Sequence, residues 1–236
     1  MTLRAVIGLV CVLAASVVDA AEERHVYRET QGDRSSLYRW TLSAAGDLYR
    51  ITFASERDSF VNDCEPEGAT LRWRMQSERA EARAHREGGT VVLSGRREGE
   101  PLAQRIEIGD EPWYQALSFS LGRFARSGRE ATSFWTLRPD TFAAVRLKAE
   151  RAGREPIATA DGPVLAEKVR ISTTGLLSGL WQAHYWFDAK AGLFLRYEGV
   201  NGLPGTPKTV IELARPETAL AVGHVRSSAV KPGTNN

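Results

Sequence analysis

Cys64 and four histidines, His25, His85, His184 and His224, are the side chains of this 236-residue sequence best suited to nucleophilic or metal chemistry. The histidines are scattered. None stands at a spacing that puts two ligands on one strand face or one helix turn, as a metal centre requires. Cys64 lies between Asp63 and Glu65. A reactive thiol needs electropositive surroundings that stabilise its thiolate, so these neighbours predict a raised pKa and an inert or buried side chain. Residues 58–67 form the densest oxygen-rich segment, but they lack the spaced acids, central glycine and closing glutamate of a calcium loop. They read as a solvated connection. No Gly-x-Ser-x-Gly turn is present for serine catalysis, and no acid pair suited to glycoside hydrolysis singles itself out. These readings assign no catalytic residue, no metal and no cofactor.

What remains is aromatic placement. In residues 180–187, Trp181, Ala183, Tyr185 and Phe187 share one strand face while Gln182, His184 and Trp186 share the other. A tryptophan beside polar groups on a second face is either covered or lines a pocket. Trp113, Trp135 and Trp186, with His184, are therefore candidates to bind an apolar ligand whose orientation a few polar groups fix. The plainer reading makes each a core tryptophan whose ring nitrogen finds a partner.

The elements that must position these side chains are mostly strands, because the dominant pattern has a period of two. Tyr38, Trp40 and Leu42 face one way and Arg39 and Thr41 the other; Tyr49, Ile51 and Phe53 repeat this after a glycine-containing turn, which predicts a hairpin. Leu71, Trp73 and Met75 alternate with Arg72 and Arg74. Further strands are predicted at 80–86, 90–96, 103–108, 133–137, 142–152, 164–173, 180–187, 193–198 and 209–213, joined by short turns. At Pro112 the period changes: Trp113, Leu117, Leu121 and Phe124 predict one amphipathic helix over 113–124, ended near Ser127 and Gly128. A sheet of about ten strands must curl to bury its apolar face. The expected fold is mainly β: a curved antiparallel sheet or incomplete barrel with the helix on its concave side.

Residues 1–20 read as a cleavable signal peptide, with Arg4, an apolar middle and small residues before a cut ahead of Ala21. The apolar run is shorter than the roughly 20 residues of a spanning helix, so no transmembrane segment is expected after cleavage. Cys11 is preceded by Val10, where a lipoprotein signal needs a small residue. The polar end of the chain does not resemble the closing aromatic strand of an outer-membrane barrel. Residues 21–215 are expected to form one domain and 216–236 a flexible polar tail. A formal charge of +2 gives no bias toward nucleic acid. The interleaved arginines and acids of 70–110 read as solvated strand faces with mixed ion pairs.

Three stretches carry a resemblance: Pro112-Trp113-Tyr114-Gln115; Phe134-Trp135-Thr136-Leu137-Arg138-Pro139; and Tyr185-Trp186-Phe187 running through Leu195-Arg196-Tyr197-Glu198-Gly199 to the segment from Gly205 to Leu213. Over 112–213 the chain resembles an uncharacterised periplasmic domain-of-unknown-function family of the 3108 type. That family is similar in architecture to the lipoprotein-carrier (LolA-like) fold, a curved antiparallel sheet around a helix that shelters acyl chains. The resemblance implies a periplasmic location and supplies no catalytic residue. The leading expectation is a non-enzymatic binding module for an apolar or amphipathic small molecule, a lipid for example. The alternatives are a structural or protein-interaction component of the envelope with a filled core, and, ranked last, an envelope hydrolase.

Overall fold

Alternation of large apolar rings with charged residues drives most of this chain into strands, and the computed structural model describes residues 22–159, 162–175, 181–200 and 207–214. The expected signal peptide, the whole polar tail of 216–236 and the Gly-Pro turn of 202–207 except Pro207 lie outside the described residues, as does Leu180. The first strands are β1 (Glu23–Gln31), β2 (Arg34–Ala45), β3 (Leu48–Ala54), β4 (Ser59–Cys64), β5 (Thr70–Gln76), β6 (Ala80–Glu87), β7 (Thr90–Arg97) and β8 (Glu100–Glu107). After helix α1 (Leu117–Arg126) come β9 (Ala131–Leu137), β10 (Ala144–Thr159), β11 (Gly162–Thr173), β12 (Gln182–Asp188), β13 (Phe194–Val200) and β14 (Lys208–Leu213).

All pairs are antiparallel in one 14-stranded sheet ordered β8-β7-β6-β5-β4-β3-β2-β1-β14-β13-β12-β11-β10-β9. The sheet is thus two meanders joined by the β1–β14 ladder, with β8 and β9 as its edges. The chain passes from one edge to the other through α1, which therefore has to cross the inside of the curl. This is the curved, open antiparallel sheet with one helix that the sequence implies.

Two apolar clusters fill the concave side. One joins Tyr27, Trp40, Ile51 and Cys64 from β1–β4 to Phe119, Leu121 and Phe124 of the helix and to β9–β13 residues such as Leu147, Val169 and Phe187. The other packs Trp73, Met75, Ala84 and Leu93 of β5–β7 against Trp113, Leu137 and Phe142. Strands distant in the sheet order therefore meet across the interior, which is what curling accomplishes. The outer edge β8 is exposed, bears Pro101, and carries charges that resist pairing with another chain. Within 70–110, exposed pairs such as Arg83–Glu81 and Arg105–Glu87 form the mixed ion pairs expected of wet strand faces.

Three expectations need correction. The helix begins at Leu117, not Trp113. Trp113 shares the helical spacing, but its backbone is committed elsewhere: its carbonyl accepts from Thr70 N–H at 2.7 Å, while Tyr114 N–H donates to Trp135 O at 2.8 Å and Trp135 N–H to Pro112 O at 2.9 Å. Residues 58–67 are not a solvated connection, since most of that segment is β4, with Asn62, Asp63 and Cys64 buried. Strand β1 had no predicted counterpart; its inward residues His25, Tyr27 and Glu29 mix polar and aromatic character and disguise the alternation.

Candidate functional site

Helix α1 is buried on almost every side, with Ser118, Phe119, Ser120, Leu121, Gly122, Phe124 and Ala125 all withdrawn from water. Its two buried hydroxyls are satisfied: Trp40 Nε1 donates to Ser118 Oγ at 3.2 Å, and Ser120 Oγ donates to Gly68 O at 2.6 Å. The basic residues fall in the last turn, Arg123 and Arg126, where the helix end is electronegative. Ser127 closes the helix, its N–H and its Oγ both bonding to Phe124 O, and Gly128 leaves with φ of +76°.

The β12–β13 turn is pressed against this end. Asp188 Oδ1 accepts from the N–H groups of Lys190 and Ala191 at 2.8 and 2.6 Å and so fixes the turn. Arg126 Nη1 donates to Ala191 O at 3.2 Å. At Gly192, φ is +73° and a Cβ would lie 2.6 Å from Arg126 Cδ, so a side chain there fails on both counts. A cavity opens on each side of the contact. The first, about 180 Å³, has a mixed lining in which the side chains of Trp40, Leu42, Phe119, Leu193 and Phe194 alternate with Glu23, Ser118, Arg123 and Arg126. Arg123 lies over the rings of Phe119 and Tyr49, its Cζ 4.8 and 4.9 Å from their centroids, a cation–π contact with each. The second, about 280 Å³, is polar and lies toward β10 and β11.

The four residues singled out from the sequence form two pairs. Trp113 and Trp135 meet in a parallel bridge at the seam between the two halves of the sheet. Trp113 is fully buried and donates Nε1–H to Gln115 Oε1 at 3.0 Å. His184 and Trp186 lie together on the outer face, ring centroids 5.8 Å apart. Trp186 is covered, not open: Lys168 Nζ sits 4.9 Å and Arg196 Cζ 5.9 Å from its ring, and its Nε1–H donates to Glu155 Oε1. Burial, followed by Lys168 and Arg170, lowers the His184 pKa. Trp113 and Trp186 belong to separate apolar clusters.

Cys64 is buried, and burial, more than the adjacent acids, pushes its thiol up to about 12. Interior tyrosines Tyr27, Tyr38 and Tyr185 are raised for the same chief reason. Glu29, facing inward beside them, is raised by burial first and by Asp58 second. Among the described residues no group of three or more His, Cys, Asp or Glu side chains converges as metal ligands. No described helix is long and apolar enough to cross a membrane.

The class of protein is therefore an incomplete antiparallel barrel wrapped around one helix. No family model and no curated protein matches the chain. Among solved structures it is similar to a beta-barrel-like protein of domain of unknown function DUF1849 from Brucella abortus, with a TM-score of 0.59 and 11% identity over 84% of this chain and 97% of that one. That likeness shows a common fold. It is also similar to the hypothetical lipoprotein YmcC from Escherichia coli, with a TM-score of 0.38 and 10% identity over 81% and 83% of the two chains. A LolA superfamily protein from Nitrosomonas europaea has a TM-score of 0.23 and 10% identity over 84% of each chain. None of these proteins carries the 3108-type description.

Proposed function

We propose that the chain is an exported, non-enzymatic binding module that takes an amphipathic small molecule, a fatty acid or other lipid-like anion, at the C-terminal end of α1. The observation that carries this reading is the 180 Å³ cavity with walls of Trp40, Leu42, Phe119, Leu193 and Phe194 and with Arg123 and Arg126 among its lining residues. Apolar side chains favour a hydrocarbon segment, and a few placed charges fix its head. The cavity is smaller than the roughly 300–1,000 Å³ that encloses a drug-sized molecule, so it suits a chain segment or a small amphiphile. In this reading Trp113 and Trp135 fasten the sheet, and His184 and Trp186 belong to its outer surface; the ligand contacts pass to Trp40, Phe119 and the two arginines. The leader-like residues 1–20 support export to the periplasm.

The test is native mass spectrometry of the mature protein before and after delipidation, followed by a dodecanoate titration read by tryptophan fluorescence. The reading expects an adduct removed by delipidation and saturable quenching that Trp40→Phe abolishes. Absence of both adduct and quenching overturns it. A second reading, an envelope interaction protein with a filled interior, is favoured by Leu121, Phe124 and Phe187, all at 0% exposure on the concave side. It expects no adduct, no response to dodecanoate, and a protein partner recovered by crosslinking in cells.

A further inference from the structure

Strand β10 contains an irregularity that a simple ladder does not need. Residues three apart on a strand point to opposite faces, yet Arg151 and Arg154 both reach the same carboxylate. The pairing register slips between them, Arg151 lying opposite Val169 and Arg154 opposite Glu167, and Gly153 between them has φ of +95°. This is a β-bulge, a device that re-aims side chains. Arg151 Nε donates to Glu167 Oε1 at 3.0 Å and Arg154 Nε to Glu167 Oε2 at 2.7 Å. Glu167 is 5% exposed, so both its oxygens are spent inside the fold.

The result is a surplus of fixed cation beside the 280 Å³ cavity. Three guanidinium groups, Arg126, Arg151 and Arg154, line it against two carboxylates, Glu167 and Asp188. Asp188 Oδ1 is already capped by the turn amides. One arginine would neutralise Glu167; the second leaves a charge in excess and N–H donors not used by Glu167. Its stem is anchored at Nε while its outer edge, with a side chain 56% exposed, faces the opening. Such held guanidinium forks match the geometry of carboxylate and phosphate oxygens.

We propose that this cavity, between the helix end and the β10 bulge, binds an oxyanion, a phosphate or carboxylate group presented either free or as the head of an amphiphile. Arg126 lines both this cavity and the one beside Trp40, but Arg151, Arg154 and Glu167 line this one alone, and the site does not require the other to be occupied. Arg154 is the residue to change, because Arg154→Ala leaves the Arg151–Glu167 pair intact and should fold. Arg151→Lys keeps a charge on Glu167 but removes the fork.

The experiment is calorimetric titration of the mature protein with inorganic phosphate, dodecyl phosphate and the neutral dodecyl maltoside. The expected result is saturable binding of a phosphate probe that weakens about tenfold or more in Arg154→Ala and also weakens in Arg151→Lys, while any dodecyl maltoside binding is unchanged. Equal affinity for the two phosphates identifies a free ion; much tighter dodecyl phosphate that Arg154→Ala weakens identifies an amphiphile's head. Saturable phosphate binding by neither probe, or binding that both variants retain in full, overturns the proposal. Arg154 lines this cavity and not the one beside Trp40, so an Arg154→Ala protein that loses phosphate binding but keeps its dodecanoate response tells failure of one site from failure of the other.

Discussion

The side-chain amide of Gln115 pairs with both backbone groups of Leu137, donating to its carbonyl at 2.9 Å and accepting from its N–H at 2.9 Å, much as a neighbouring strand would. Its own N–H donates to Thr70 Oγ1 at 3.0 Å. Gln115 thus satisfies the edge of β9 and ties it to the start of β5, closing the seam that the open sheet leaves. Replacing it by alanine strips partners from a buried backbone. The expected loss is on the order of 2 kcal/mol, measured as a lower urea midpoint with an unchanged slope, and Gln115→Glu should recover only the accepting half.

Gly122 stands where the helix meets the β12–β13 turn. Alanine in place of glycine inside a helix ordinarily stabilises by about 1 kcal/mol. Here a Cβ would lie 2.8 Å from Gly192 O and 3.3 Å from the Phe187 ring. Gly122→Ala is expected to destabilise instead, by about 1–3 kcal/mol, and thermal unfolding of the purified variant gives the sign directly.

Asn62 is 1% exposed, and its Oδ1 has no hydrogen-bond partner among the described residues. A lone buried acceptor is costly, so Asn62→Leu is expected to stabilise the protein by about 1–2 kcal/mol. Chemical denaturation of the two proteins side by side decides it.

The Cys64 thiol moves from 9.0 to about 12 on folding, chiefly through burial. The folded state holds this proton more tightly than the unfolded chain. Its contribution is therefore complete below pH 9.0 and lost as pH rises toward about 12, at about 1.4 kcal/mol per pH unit. Tyr197, raised to about 12 by burial first, steepens the fall above its ordinary 10.0. Denaturation midpoints should be flat from pH 7 to 9 and then drop, with Cys64→Ala delaying the onset. A thiol reagent at pH 8 should label Cys64 only after unfolding.

Much of the fold was legible because single strands announce themselves locally. The hairpin of Tyr38–Leu42 with Tyr49–Phe53 needed only alternation and a turn, and Trp40 and Ile51 do face the core. Strand β4 stayed hidden because Asn62 and Asp63 are polar yet buried, with Asp63 held by Arg50. The helix start was misplaced because Trp113 keeps helical spacing while its backbone bonds belong to Thr70. The two cavities were out of reach for a different reason. Trp40 of β2, Phe119 and Arg126 of α1 and Leu193 of the β12–β13 turn are far apart in sequence, and only the curl of the sheet brings them together. Gly153 was visible, but that it puts Arg151 and Arg154 on one carboxylate depends on register with β11.

The most direct measurement follows the indole N–H of Trp40 in two-dimensional NMR as dodecanoate is added. If an amphiphile enters beside α1, that resonance shifts saturably together with the side-chain N–H signals of Arg123 and Arg126, while the indole of Trp186 stays in place. A Trp40 signal that does not move at saturating dodecanoate, or shifts confined to the outer-face indole, contradicts a binding site at the helix end.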